Sequence, residues 1–277
     1  MKIFLTGGTG FIGSHFINQA LSKGHILTCL RRKGSRPRIA LKGEPIWVEG
    51  DLAENWSNDL QECDVLVHLA AAGVSPQKAT RSKLFKWNVE SSYNLLLNAI
   101  KVGIKDFLII GSYAEYGLSG KKFDYIPTDA MLEPTTSYAA SKAAFLQLLY
   151  ALTFEEKLRV VYARIFSAFG EGQYGGNLWS SMQKSALEGS DFHMTLGEQV
   201  RDFISVEDVA EQLVNALSFS KESYGKVDVQ NIGTGNPQTI REFAEFWWEK
   251  WGATGKIHFG SNPYRKNEVM RFVPEID

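Results

Sequence analysis

A strand that breaks into glycines and restarts as a helix constrains this chain more than any other feature. Met1-Lys2-Ile3-Phe4-Leu5-Thr6 holds an apolar run long enough for one buried strand, and Gly7-Gly8-Thr9-Gly10 interrupts it. Ile12, Phe16, Ile17, Ala20 and Leu21 then return at three- and four-residue intervals, and Gly24 stands where a helix would stop. Each glycine of the bend has a physical task. Gly7 makes the turn, Gly10 admits close approach of a pyrophosphate, and Gly13 lets the helix pack on the strand. The unpaired N–H groups and positive end of such a helix, at Phe11, Ile12 and Gly13, face the phosphates. Glycine-rich turns join many strands to helices without a ligand. It is the strand before and the helix after that point to a dinucleotide here.

At 277 residues the chain has room for one large α/β domain, or for a large domain with a smaller lobe. Its 44% hydrophobic and 22% charged content suits a globular protein with a substantial core. A net charge of −1 argues against a nucleic-acid binder driven by bulk electrostatics. No apolar run reaches membrane-spanning length and the first strand starts without a signal peptide, so no membrane association and a cytoplasmic location are expected. Cys29 and Cys63 lie in apolar strand-like runs and read as two buried free thiols, with no metal-ligand spacing.

Ile26 to Leu30 reads as a second strand, closed by Arg31-Arg32-Lys33. A carboxylate roughly twenty residues past the glycines would bind the ribose 2′-hydroxyl of NAD. Arg31 and Arg32 stand there instead and favour the 2′-phosphate of NADP, with NAD possible. A solvated basic loop or a nucleic-acid patch is the blander reading of the same run. Ile46 to Leu52 is a third strand ending in acid, and Val65 to Ala72 a fourth. In the latter His68 reads as a packed strand histidine, and the small residues Ala70 to Gly73 let a ligand approach the backbone. Phe85, Val89, Ser92, Leu96 and Ala99 mark a long helix over 81–101, and Phe107 to Ser112 the next buried strand. Alternating strands and helices imply a doubly wound parallel α/β sheet.

A loop with Gly, Pro and Asp spans 113–137, and long loops in compact domains are usually functional. Tyr138 and Lys142 then open a helix to about residue 157, four apart and therefore on one face. Leu158 to Phe166 is another strand, after which the alternation becomes irregular. Ser205 and Thr239 look like helix caps, and the helix after Thr239 carries Phe246, Trp247, Trp248 and Trp251 as core of a second lobe. The expected division is a dinucleotide-binding domain over 1–166, with segments returning from 201–235, and a smaller α/β substrate lobe over most of 167–277.

The glycine turn, Ser112 and Tyr138-x-x-x-Lys142 together resemble the short-chain dehydrogenase/reductase superfamily, and within it the extended branch of nucleotide-sugar epimerases, dehydratases and reductases. The resemblance covers nearly the whole chain. It implies a Rossmann fold, with Gly50-Asp51-Leu52 at the adenine, the His68-Leu69-Ala70-Ala71 strand motif and Asn88 beside the cofactor, and Phe166 near it. It also implies that Tyr138 is the acid/base, that Lys142 tunes it and holds the nicotinamide ribose, and that Ser112 bonds the reacting oxygen. The chemistry is sound in itself. A tyrosine with a pKa near 10 needs a nearby cation such as an ammonium to serve as a base at neutral pH. On the substrate side it implies Tyr113, Ser167, Asn177, Leu178, Arg201 and, beside Tyr264 and Glu268, Arg265, with Arg201-Asp-Phe-Ile-Ser-Val-Glu-Asp208 and Asn231-Ile-Gly-Thr-Gly235 as lobe markers. Relatives continue through a short helix past the position of Asp277. The helices over 81–101 and 138–157 form a four-helix dimer contact in this family, so a homodimer is expected.

Two departures narrow the reaction. Dehydratases of the branch carry Asp-Glu after the catalytic hydroxyl residue, whereas Tyr113-Ala114 stand here, and Glu115 one position on reads as a solvated loop glutamate. The usual Arg-x-x-Asn of the substrate strand is Arg164-Ile165-Phe166-Ser167. These point to an NADPH-dependent reductase of a nucleotide-linked 4-keto-6-deoxy sugar. The alternatives are a nucleotide-sugar 4-epimerase with retained NAD(P), and a non-enzymatic NADP-sensing protein, which the intact Tyr138–Lys142 pair disfavours.

Overall fold

Seven parallel strands form the central sheet, and their order fixes where a ligand can enter. The computed structural model describes residues 1–74, 78–220, 224–266 and 268–276. The chain runs β1 (Lys2–Thr6), α1 (Phe11–Ser22), β2 (Ile26–Arg31), β3 (Ile46–Glu49), α2 (Ser57–Leu60), β4 (Val65–His68), α3 (Arg81–Phe85), α4 (Ser92–Lys101), β5 (Asp106–Ser112), α5 (Ser137–Glu156) and β6 (Arg159–Ile165). It continues through β7 (Ser167–Phe169), α6 (Leu178–Leu187), β8 (Phe192–His193), β9 (Val200–Ser205), α7 (Val206–Asn215), β10 (Lys226–Ile232), β11 (Pro237–Thr239), α8 (Ile240–Lys250), β12 (Ile257–His258) and β13 (Arg271–Phe272).

The sheet order is β3-β2-β1-β4-β5-β6-β10, parallel throughout. The winding reverses between β1 and β4, and a crevice at the carboxyl ends of those strands is where such sheets take ligands. Both sheet faces are covered, which is why the strands read as continuous apolar runs rather than as alternating ones. Ile3, Leu5, Val65, Val67 and Leu108 point to one face, with Phe16 and Ile17 of α1 and Val209 and Leu213 of α7. Phe4, Leu66, Phe107 and Ile109 point to the other, against Leu95 and Leu96 of α4 and Phe145, Leu146 and Leu149 of α5. Each such side chain stabilises the fold by about 1.5–3 kcal/mol through burial.

A second sheet joins β11, β9, β13 and β7 around the central strand β9. The tryptophan-rich α8 packs into it as core: Phe243 stacks on Phe203 at 3.8 Å, and Trp247 meets Trp179 edge-on at 5.6 Å. Both expected caps are present. Ser205 Oγ accepts from the Asp208 N–H, and Thr239 and Glu242 bond each other's backbone reciprocally.

The chain departs from the sequence expectations at several points; β3 and β4 stop at Glu49 and His68, short of the expected Leu52 and Ala72. The helix over 81–101 widens into a π-turn at Lys86–Ser91, where the Ser92 hydroxyl reaches the Trp87 carbonyl five residues back at 2.9 Å. Short 3₁₀ turns at Tyr113–Glu115 and Leu118–Lys122 structure the segment read as loop. Cys63 is only half-buried, because it lies in the turn before β4 rather than in the strand; Cys29 is buried. Glu115, read as solvated, is fully buried.

Candidate active site

The glycine turn is built by backbone packing against backbone. Gly7 has φ +80°, and a Cβ there would lie 2.6 Å from the Ala70 N–H nitrogen, so β1 and the end of β4 approach more closely than any side chain permits. A Cβ on Gly13 would run into the Gly7 carbonyl oxygen. With both positions bare, Gly10 becomes the N-cap of α1 with no side-chain cap and no acid in the first turn. α3, α5, α7 and α8, by contrast, each begin on a Thr or Ser hydroxyl that accepts a helix N–H. The N–H groups at Phe11, Ile12 and Gly13 are thus left for an external anion, as a dinucleotide pyrophosphate requires.

At the next strand end, Arg31 donates to Glu49 at 2.9–3.0 Å and lies over the Trp47 ring at 4.9 Å. Arg32 is exposed, with no ion pair among the described residues. Asp51 and Leu52 follow β3 on the same side, and the Asp51 carboxylate accepts from the Ala53 N–H at 2.9 Å. Leu69, Ala70 and Ala71 leave β4 beside Thr6, whose carbonyl accepts from the Leu69 N–H at 3.1 Å. Asn88, on the π-turn, accepts from the Ala72 N–H at 2.7 Å and donates to Ser141 of α5 at 3.0 Å. Its amide ties this loop to the helix that carries Tyr138. His68 is the expected packed histidine, bonded to Thr6 at 2.7 Å and Ser92 at 2.8 Å. Burial, aided by the Lys142 charge, depresses its pKa to about 3, so it is neutral.

Ser112 ends β5 at the carboxyl edge of the sheet, and α5, capped by Thr136, brings Tyr138 and Lys142 alongside. Tyr138 is half-buried and Lys142 is 2% exposed. Burial raises the Tyr138 phenol; the charge of Glu115 adds to that rise, and the Ser112 side chain, in hydrogen-bonding reach, opposes it. Burial lowers Lys142 to about 8, with Glu115 holding it up. The structure therefore gathers the three residues assigned to proton transfer into one place.

A buried polar chain lies beneath them. Glu115 accepts from the Ser112 N–H at 2.8 Å, the Tyr162 hydroxyl at 2.8 Å and Arg164 Nε at 3.1 Å. Arg164 donates onward to the Tyr116 hydroxyl at 2.8 Å, and Tyr116 donates to Asn231 at 2.6 Å. Sequence reasoning missed Glu115, Tyr162 and Arg164 as a unit. The one available signal was Ser112-x-x-Glu115, the spacing of a capping box, which the structure forms in both directions.

On the substrate side Tyr113 stacks on Phe166 at 5.5 Å and meets Phe272 edge-on at 5.1 Å, forming an aromatic wall next to Ser112. Ser167 opens β7, and Asn177 and Leu178 start α6. Arg201 is turned inward, bonded to Glu268 at 2.8 Å and to the carbonyls of Val200, Val269 and Met270. Arg265 is exposed, while its neighbour Tyr264 donates to Glu198 at 3.0 Å. Among the described residues no cluster could hold a metal ion, and no helix is long and apolar enough to cross a membrane.

Known proteins resemble this chain along nearly its whole length. CDP-abequose synthase of Salmonella muenchen is 26% identical over 97% of this chain and 87% of its own length. The dTDP-6-deoxy-L-talose 4-dehydrogenase (NAD(+)) of Aggregatibacter actinomycetemcomitans is 26% identical over 98% of each chain. The UDP-glucose 4-epimerase of Thermotoga maritima, solved with UDP-glucose, shares the fold with a TM-score of 0.85 at 23% identity, over 100% of this chain and 90% of that one. The family model described as the NAD dependent epimerase/dehydratase family matches residues 3–233, and the chain belongs to that family.

Proposed function

We propose that the chain reduces the 4-keto group of a nucleotide-linked 6-deoxy sugar with NADPH. The observation that carries this reading is the site at the end of β5. Ser112, Tyr138 and Lys142 are assembled there, while the two positions after Ser112 carry Tyr113 and Ala114 in place of the Asp-Glu pair of the dehydratases. A bound nicotinamide supplies hydride to a carbonyl carbon. Tyr138, kept protonated at neutral pH by burial, supplies the proton to its oxygen, with Ser112 holding that oxygen and the Lys142 charge stabilising the phenolate left behind. One relative supports the position of the reaction, its name specifying 4-dehydrogenation of a dTDP-linked 6-deoxy sugar, and the name of another places it in the synthesis of a CDP-linked sugar, CDP-abequose.

Arg31 and Arg32 support NADPH as the reductant. Because Glu49 already shares Arg31, Arg32 offers the less compensated charge to a 2′-phosphate. Fluorescence titration is expected to show NADPH binding roughly tenfold or more tighter than NADH, the worth of one charge-assisted hydrogen bond. Replacing both arginines, Arg31→Asp with Arg32→Ala, should remove the preference, and equal affinities in the unaltered protein would contradict it. Product analysis against a panel of nucleotide sugars, with and without NADPH, tests the reaction itself; 4-epimers formed without added cofactor would favour an epimerase. Leu97 of α4 with Leu148, Tyr150 and Phe154 of α5 leaves exposed apolar surface that supports pairing of two copies as a homodimer.

A further inference from the structure

Glu115 is the buried charge that the proton-transfer scheme leaves unused. It is 0% exposed, and its partner Arg164 is 2% exposed. Burying such a pair is costly, and replacing it with apolar residues of similar volume is often neutral or stabilising. Fold stability is therefore a weak reason for an ion pair at this place. Its connections are specific to the catalytic residues. One carboxylate oxygen receives the N–H of Ser112 itself, at 2.8 Å, and that same oxygen receives the Tyr162 hydroxyl, also at 2.8 Å. Tyr162 reaches in addition the carbonyl of Lys142 at 3.2 Å, so the carboxylate is linked to both the serine strand and the catalytic helix. The other oxygen takes Arg164, which is anchored through Tyr116 and Asn231 to the end of β10 and through the Thr128 carbonyl to the loop between β5 and α5.

We propose that Glu115 is a positioning residue of this active site: its carboxylate locks the Ser112 turn against α5 and supplies the negative charge that keeps the buried Lys142 an ammonium. This rests on the reading of Ser112, Tyr138 and Lys142 as the catalytic group. The charged and titratable groups facing the pair are Arg164 and Tyr162 of β6, Tyr138 of α5, Tyr116 of the turn after β5, and His68 of β4. Burial holds His68 neutral and pushes Tyr116, Tyr138 and Tyr162 up, so Glu115 is the group that favours a cation at Lys142 against burial. Burial acts on Glu115 itself, pushing its carboxyl up, against Arg164, Lys142, Tyr162 and the Ser112 N–H, which all favour the carboxylate.

The test is the pH profile of kcat/KM for keto-sugar reduction in three variants. Glu115→Gln keeps shape and loses charge. It should move the alkaline limb, which reports loss of the Lys142 proton, to lower pH by about one unit or more, the scale of one close opposite charge. Glu115→Asp keeps the charge but is one methylene too short for the Ser112 N–H. It should hold the alkaline limb near its original position while kcat falls roughly tenfold or more. If Glu115→Gln fails to fold because Arg164 is left unpaired, the double variant Glu115→Gln with Arg164→Met removes both charges and should still show a lowered limb relative to the Arg164→Met single variant. An unshifted limb in either Gln background, or a shifted limb in Glu115→Asp, overturns the proposal. Tyr138→Phe in the same assay separates the two claims. If it retains turnover, the catalytic reading fails; if it loses turnover while the Gln limb stays put, only the role of Glu115 fails.

Discussion

Tyr138→Phe should lower turnover by about a hundred- to ten-thousand-fold, the range lost when a positioned general acid is removed. The substitution deletes one hydroxyl from a half-buried ring and leaves the anchoring of α5 on Phe145, Leu146 and Leu149 intact. The fold and NADPH affinity should therefore stay near their original values. The pH dependence follows from the same groups. Lys142 carries its charge below about 8 and loses it above, so support for the phenolate fades as the pH rises through that value. Wild-type turnover is expected to decline on the alkaline side accordingly. Turnover close to wild type in Tyr138→Phe, with cofactor binding preserved, would remove Tyr138 from the reaction.

Gly13→Ala should be nearly as damaging, at a different step. The added methyl meets the Gly7 carbonyl, which is backbone and cannot rotate away. Gly7 has no slack either, since it is held at φ +80° against the Ala70 nitrogen. The turn must open, and the N–H groups at the start of α1 then lose their aim. Overpacking of this kind costs about 1–3 kcal/mol of stability. Misdirecting the phosphate donors should cost at least roughly tenfold in NADPH affinity, since a single hydrogen bond to a charged group is worth about 1.5–3 kcal/mol. Titration of the variant and of the parent by cofactor fluorescence, beside their urea unfolding curves, reads both effects. Unchanged affinity would show that the Gly7–Gly13 contact does not shape the phosphate site.

The large sheet was legible because its strands are buried on both faces and its helices are amphipathic, so local pattern and tertiary role coincide at Ile3, Phe4, Phe16 and Leu96. The positions of Ser112, Tyr138 and Lys142 were legible because strand end and helix spacing carry the geometry with them. What failed depended on contacts distant in sequence. Nothing near Glu115 announces that Arg164, 49 residues on, will bury it. Arg201 was expected on the substrate side from the resemblance alone, and only the fold brings Glu268 and three carbonyls to it. The π-turn at Lys86–Ser91 is invisible to a 3.6-residue period, and its Asn88 is held by the backbone of Ala72, 16 residues away. The pairing of Arg31 with Glu49 was equally absent from the local pattern. The nucleotide base leaves no such local pattern at all.

Hydride should pass from a soluble reductant to the sugar, with Tyr138 as the proton donor. NADPH carrying deuterium at both C4 positions of the nicotinamide ring, offered with a nucleotide-linked 4-keto-6-deoxyhexose, reports that transfer. One equivalent of NADPH should be oxidised per sugar, and mass spectrometry and NMR should find one deuterium at C4 of a 6-deoxyhexose product. A sugar product free of deuterium, or interconversion of 4-epimers with no added cofactor and no NADPH oxidised, would contradict the account.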